Sequence, residues 1–494
     1  MCSVLDSGVR DLAFQPTFSR GVDMNQENKR NPEPADQGVI ARLGAALADW
    51  SEKWFPDAYV FAAIAVVIVC VAALAMGRTP SQISVDFGQS FWNLIPFTMQ
   101  MAFVVIGGYI VAVSAPVRKV IDALARFPKT PKVAVAYVAL LAMVASLLSW
   151  GFSMIFAGIL MREISKRVNG IDYRAIGAAG YLGLGSIWAL GLSSSAALLM
   201  ATKGSIPPAL LKVSGVIPLE LTLFTWQNLV MIVVLIVLSV WICYVSTPTA
   251  ERAKTATMAG ITYQETQESI GKPQTPGERL EFSPLLTLVI VALGAVYLFD
   301  VFSTKGGLAA LDLNTYNFMF LIAGMLLHWR PRSFLRAAAK AVPMTGGVLL
   351  QFPLYAGIFG VLIGSGLNEV LAKLFVSIST QDTLPLIGGI YSAILGLFLP
   401  SGGGKWVVEA PYLLEAANQL HVNLAWMVMV YNAAEALPNF INPFWMLPLM
   451  GLTGVKARDL AGYSTLQLIF HAPVVLLMLW LLGKTMPYIP PILN

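Results

Sequence analysis

The sequence predicts an all-α polytopic membrane protein, and two bulk features and one pattern carry that reading. Of 494 residues, 57% are hydrophobic and 12% are charged, and mean hydropathy is +0.70. A soluble domain carries about 25% charged residues, so this much apolar surface needs lipid to solvate it. The apolar residues fall in long runs, among them 57–76, 91–114, 221–244 and 285–302. Each is near the ~20 residues a helix needs to cross a bilayer, and the period-two alternation of a β-barrel wall is missing.

Along the chain, residues 1–45 are polar and lack the apolar core of a signal peptide, which predicts a disordered cytoplasmic tail. Met24 is an alternative start. Spans are expected near 57–77, 90–114, 176–204 and 219–245 in a first membrane repeat covering 50–245. A polar, proline-containing linker at 246–281 and a linking span at 283–303 follow. Spans near 315–329, 341–366, 424–451 and 463–485 fill a second repeat at 315–486, for about nine crossings in all. Twenty-five of the 32 Lys and Arg residues lie in six segments. Excess positive charge marks the cytoplasmic side, so the N-terminus is expected inside and the C-terminus outside a bacterial inner membrane.

Two apolar stretches do not fit as single spans. Residues 133–161 have basic flanks at both ends, so both ends lie on one side. Two short arms turning at 146–153 satisfy this as a re-entrant helical hairpin; two short full spans are the alternative. Residues 384–414 form a second candidate hairpin, whose flanks lack basic clusters and which is expected to enter from outside. The halves also echo each other: Gln100 and Ser114 recur as Gln351 and Ser365 at an offset of 251. Opposed hairpins and a repeat at fixed offset point to inverted-topology repeats.

Chemistry is expected where helices break inside the membrane. The first broken helix, 176–204, is interrupted around Gly191–Ser195; the second, 424–451, by Pro438, Asn439, Asn442 and Pro443. Proline removes a donor and clashes with the preceding turn. Half-helices then aim N-terminal amides at an anion and freed carbonyls at a cation. Ser193, Ser194 and Ser195 are candidate ligands, with helix–helix contact by small residues as the alternative. Asn439 and Asn442 are candidates because unpaired amides in hydrocarbon cost free energy.

At the hairpin turns, Ser149, Trp150 and Ser153 suit a small, partly apolar ligand. The string Leu399–Pro411 holds Ser401, Gly402, Gly403 and Gly404, where glycine permits positive φ and close backbone approach. Lys405 sits at a depth where charge is costly and usually functional. It can meet a substrate carboxylate or pair with Glu409 four residues on. Glu435 and Glu409, with Ser194 and Asn442, are candidates for coupling a proton or sodium ion; no other cofactor is expected.

Several classes are excluded. Gly404–Lys405 and Gly483–Lys484 lack the upstream glycine of a phosphate loop, since Leu399 and Met478 stand there. No nucleophile elbow or His-Glu-x-x-His string occurs, and the basic loops are topology signals rather than a nucleic-acid surface. Cys2, Cys70 and Cys243 are scattered, and His328, His421 and His471 are isolated.

The strings 149–160 (SWGFSMIFAGIL), 191–198 (GLSSSAAL), 400–411 (PSGGGKWVVEAP) and 439–448 (NFINPFWMLP) resemble the bacterial short-chain fatty acid permeases. The resemblance runs from about residue 50 to the last helix and leaves the N-terminal tail outside. It implies short monocarboxylate substrates such as acetoacetate, butyrate or acetate. It also implies kinship with ion-coupled carriers of elevator type, and by analogy with them a homodimer is expected. Beside the resemblance, a single mid-membrane cation favours a monoanion. A dicarboxylate carrier of the same architecture and an anion channel are the alternatives, and an embedded enzyme would need clustered Asp, His or metal ligands.

Overall fold

The computed structural model describes residues 58–262 and 271–491. The expected tail at 1–45, the start at Met24 and the middle of the 246–281 linker lie outside the described residues. Those described are helical, without strands.

The helices that matter here are α1 (Ala58–Ala75), α2 (Pro80–Ser90), α3 (Ile95–Ala112), α4 (Pro131–Leu148) and α5 (Trp150–Arg167). Then come α6 (Tyr173–Leu182), α7 (Ser195–Ala201), α8 (Trp226–Ser246), α9 (Leu285–Lys305), α10 (Leu313–His328) and α11 (Gly346–Ser365). The remainder are α12 (Leu384–Phe398), α13 (Gly402–Gln419), α14 (Leu424–Asn439), α15 (Pro443–Thr453) and α16 (Ala457–Gly483).

Among the described residues, 7 helical segments are long and apolar enough to cross a membrane, against the about nine spans expected. Three expected spans fall short of that length: Tyr59–Ala75 of α1, α10 with 16 residues, and α14, which stops after 16 at its break. Helix α4, expected as half of a hairpin, is itself 18 residues of high hydropathy and adds one.

Helix starts follow local chemistry. Thr79 caps α2 reciprocally with Gln82, and Thr225 caps α8 by accepting from Asn228 N. That cap starts the helix at Trp226, later than the 219 expected, because residues 219–221 form a tight 3₁₀ turn. Stretches read as loops are instead short helices, notably Ala115–Leu124, Pro331–Ala341 and Leu367–Ile378.

Burial separates two kinds of helix. Every residue of α14 is buried, as is nearly all of 173–201 and of α13 up to Leu414. Helices α1, α8 and α9 expose apolar flanks instead, with Leu293, Val296 and Phe299 on α9 as examples and Phe299 75% exposed. Such bands suit lipid. The core is thus the broken helix 173–201 packed against α13 and α14.

The start of α6 is pinned to the linker. Asp172 is fully buried and its carboxylate accepts from Arg174 N (3.0 Å), Ala175 N (3.1 Å) and Lys254 N (3.0 Å). It also pairs with Arg174 at 2.6 Å. Asp172→Ala should cost about 2–3 kcal/mol, since it removes a cap and leaves a half-buried guanidinium alone. Asp172→Asn keeps the cap and should cost roughly half as much. Thermal unfolding in detergent checks both; unchanged midpoints would remove Asp172 as an anchor.

Candidate functional site

The first turn is a single extended residue, Ser149 (φ −160, ψ 125), which ends α4 and caps α5. Its Oγ accepts from Phe152 N at 3.3 Å, while Trp150 N donates to Ser193 Oγ at 3.0 Å. The turn and the first break are therefore bonded together. Leu192 N donates to Leu147 O at 2.7 Å, an approach that Gly191 permits: a Cβ there would lie 2.4 Å from Leu147 Cα. Trp150 meets Trp445 of α15 edge-on at 6.2 Å. Ser153 Oγ donates to Ala142 O at 2.6 Å and ties α5 to α4.

The first broken helix unwinds gradually, with α6 passing through a π turn at 183–187 and a 3₁₀ turn at 188–190. Ser194 then caps α7, accepting from Ala197 N at 3.3 Å.

At the second turn, Leu399–Ser401, Ser401 caps α13 and accepts from Gly404 N at 3.2 Å. Here the expectation for the glycines needs correction. None of Gly402, Gly403 and Gly404 has positive φ; they form the first turn of α13. Their smallness is needed for clearance. A Cβ would lie 2.2 Å from Trp188 Cη2 at Gly402, 2.7 Å from Phe97 Cζ at Gly403 and 2.1 Å from Tyr355 Cδ2 at Gly404. The same Cβ at Gly403 would be 3.2 Å from Ser195 Cβ. The N-termini of α13 and α7 therefore converge within an aromatic enclosure. A helix leaves its first amides without internal acceptors, which applies at α13 to Gly402 and Gly403.

The second break lies between α14 and α15, and α14 runs one residue past Pro438. Tyr181 OH donates to the Asn439 carbonyl at 2.7 Å. The Asn439 side-chain amide is buried, and neither of its polar atoms has a partner among the described residues. Trp188 Nε1 is likewise buried and without an acceptor. Asn442 is buried within the break.

Lys405, Glu409 and Glu435 form a buried ionic cluster. Lys405 Nζ lies 2.9 Å from Glu409 Oε1 and 2.7 Å from Glu435 Oε2, and it donates to Ser392 O at 2.8 Å. Lys405 Nζ is thus enclosed by two carboxylates and a backbone carbonyl, with its side chain wholly buried. The Tyr431 ring lies 4.5 Å from Nζ and adds a cation–π contact. Ser392 Oγ donates to Glu409 Oε2. Glu435 Oε1 meets no donor among the described residues. With every group ionised the cluster sums to one excess negative charge.

Sequence reasoning missed Phe97, Trp188, Tyr355, Ser392 and Tyr431. The available signal was the pair of lone opposite charges, Lys405 and Glu435, each in an apolar run that could not hold it alone. The histidines are engaged elsewhere: His471 with Ser239 Oγ and Gln467 O, His328 with Ser333 Oγ and Ile110 O. The site is closed, since none of Ser149, Ser193, Ser194, Ser195, Ser401, Asn439 and Asn442 exceeds 5% exposure. Entry requires displacement of the helices around it.

Residues 39–482 match the family described as short chain fatty acid transporter. A protein of Escherichia coli K12, provisionally named a short-chain fatty acid transporter, is 35% identical over 438 residues, 88% of this chain and 98% of its own length. A Haemophilus influenzae protein with the same provisional name is 33% identical over 451 residues, 90% of this chain and 100% of that one. The solved YdaH transporter of Alcanivorax borkumensis superposes with a TM-score of 0.55 at 14% identity, covering 88% of this chain and 100% of that one. MtrF of Neisseria gonorrhoeae, described with a class of antimetabolite efflux pumps, gives 0.54 at 12% identity, with 90% and 98% covered. These two share the fold with this chain.

Proposed function

Because the chain belongs to the short-chain fatty acid transporter family, and is a transporter and not an enzyme, we propose that it is an ion-coupled symporter of short monocarboxylates across a bacterial inner membrane. The convergence of the α13 and α7 N-termini carries this reading. Helix N-termini bear partial positive charge and free amides, which suits one carboxylate. Gly402 and Gly403 amides and the Ser195 and Ser401 hydroxyls are its ligands, with Trp188 Nε1 and the Asn439 amide as buried donors that lack partners. Phe97, Trp188 and Tyr355 enclose the alkyl chain. Since Lys405 is already neutralised, the site offers a dianion no second cation.

In this reading α4–α5 and α12–α13 are hairpins entering from opposite sides, and the halves are inverted repeats. Hairpins and broken helices move together past the outer helices in an elevator cycle, which opens the closed site to one side at a time. The N-terminus is cytoplasmic, the coupling ion is a proton or sodium, and a homodimer is the assembly.

Uptake of labelled butyrate into proteoliposomes tests this, with sodium and pH gradients imposed separately and succinate as competitor. Accumulation above protein-free vesicles that succinate leaves unchanged is expected; succinate uptake in its place would discard the substrate. Gly403→Val should insert normally yet lower uptake more than about tenfold, by driving Phe97 and Ser195 apart. Uptake at the wild-type level would remove α13 from the site.

A further inference from the structure

We propose that Lys405, Glu409 and Glu435 form the proton-binding site of the carrier, with Glu435 Oε1 taking the proton. This deepens the symporter reading and rests on it, and it selects the proton over sodium. Three observations carry it. The cluster is fully buried between α12, α13 and α14. Ionised throughout, it holds two carboxylates and one ammonium. Glu409 Oε2 accepts from Ser392 Oγ, and Glu409 Oε1 and Glu435 Oε2 lie within ion-pair distance of Lys405, whereas Glu435 Oε1 has neither an ion-pair contact nor a hydrogen-bond donor among the described residues.

An unbalanced charge is costly inside a membrane, so the neutral form of the cluster carries one added cation. Sodium needs a shell of several oxygens, and the position between these two carboxylates is already held by the Lys405 ammonium, which repels a second metal-sized cation. A proton needs only the bare oxygen. Other titratable groups around Glu435 are phenols: Tyr431 on its own helix, Tyr355 of α11, and Tyr391 with Tyr412 beyond Glu409. Tyr181 lies one turn on, at Asn439, and His471 of α16 lies behind Phe440. None of them brings a second cation to the cluster.

The charge balance sets the stoichiometry. A proton entering from the outer solution forms the Glu435 O–H bond and takes the cluster from −1 to 0. The substrate carboxylate then returns the loaded carrier to −1, equal to the empty one. Release of both on the inner side delivers one acid equivalent without net charge movement.

The test uses the purified full-length protein in two independent measurements. Infrared difference spectra between acidic and alkaline pH, with no substrate present, should show the carbonyl stretch of a protonated carboxylic acid. Glu435→Gln should remove that band, and Glu409→Gln should shift it. In proteoliposomes, butyrate accumulation should follow the pH gradient and ignore both a sodium gradient and an imposed membrane potential. In Glu435→Gln the ratio of pH-driven accumulation to butyrate counterflow should fall at least about tenfold. Sodium-driven accumulation in the wild type, or no band that depends on Glu435 or Glu409, would overturn the proposal while leaving the carrier reading intact. A band that disappears in Glu435→Gln, with no butyrate counterflow in the wild type, would uphold the proton site and sink the substrate. Should Glu435→Gln fail to fold, the wild-type difference spectrum, the Glu409→Gln shift and the gradient measurements still decide.

Discussion

Replacing Lys405 with methionine should destabilise the protein by about 3–5 kcal/mol and abolish uptake, because it leaves buried carboxylates without their counter-ion. Methionine nearly fills the volume of lysine, so packing around Trp406 and Tyr431 changes little. What is lost is the ammonium, together with the donor to the Ser392 carbonyl. A compensating variant separates charge from shape. Lys405→Met with Glu409→Gln and Glu435→Gln removes every charge, and an uncharged buried set is often as stable as the ionic one. Thermal unfolding in detergent should therefore show a large drop for the single variant and recovery for the triple variant, while uptake stays absent in both. A single variant with the wild-type midpoint would mean that the three groups do not form an ionic network.

How far the site was legible in sequence depended on the range of each interaction. The Lys405–Glu409 pair was readable, because residues four apart share a helix face. Glu435 was not, since 30 residues and a helix reversal separate it from Lys405 and no local rule supplies its partner. A weaker inference was available: a lone acid and a lone base in apolar runs each need an opposite charge, and each could be the other's. The three glycines at 402–404 were legible as special, but for the wrong reason. Sequence suggests backbone freedom, whereas the structure shows an ordinary helical turn pressed against Trp188, Phe97 and Tyr355, three residues from three different segments.

The serines show the same limit. Ser149, Ser153 and Ser193 were equivalent candidates in the sequence. Folding brings the Ser149 turn onto Ser193 through the Trp150 amide and spends Ser153 on the Ala142 carbonyl. Short helices such as Pro331–Ala341 escaped notice because their basic residues were read only as topology signals. The long lipid-facing helices α8 and α9 were legible from length and hydropathy alone, as lipid imposes a constraint that reads residue by residue.

The second large effect is expected at Gly396 on α12, which shapes the cluster without contributing a polar group. A Cβ at this position would lie 2.7 Å from Pro438 Cγ, 3.0 Å from Glu435 Oε2 and 3.7 Å from Lys405 Nζ. Valine adds two further carbons and cannot fit unless α12 and α14 separate or the carboxylate leaves Lys405. Overpacking of this kind costs about 1–3 kcal/mol, and displacing Glu435 exposes part of the penalty of a broken buried pair. Gly396→Val should therefore lower the unfolding midpoint and reduce pH-driven butyrate accumulation by at least about tenfold. Gly451→Val, at an exposed helical glycine with open space around it, is the control and should change neither by much. The charge-removed background tells which consequence dominates. With Glu435→Ala the oxygen that valine would strike is gone, so Gly396→Val should cost less stability there than in the wild type. Equal cost in both backgrounds would assign Gly396 to the contact with Pro438 alone, and would remove it from the set of residues that hold the Lys405–Glu435 pair.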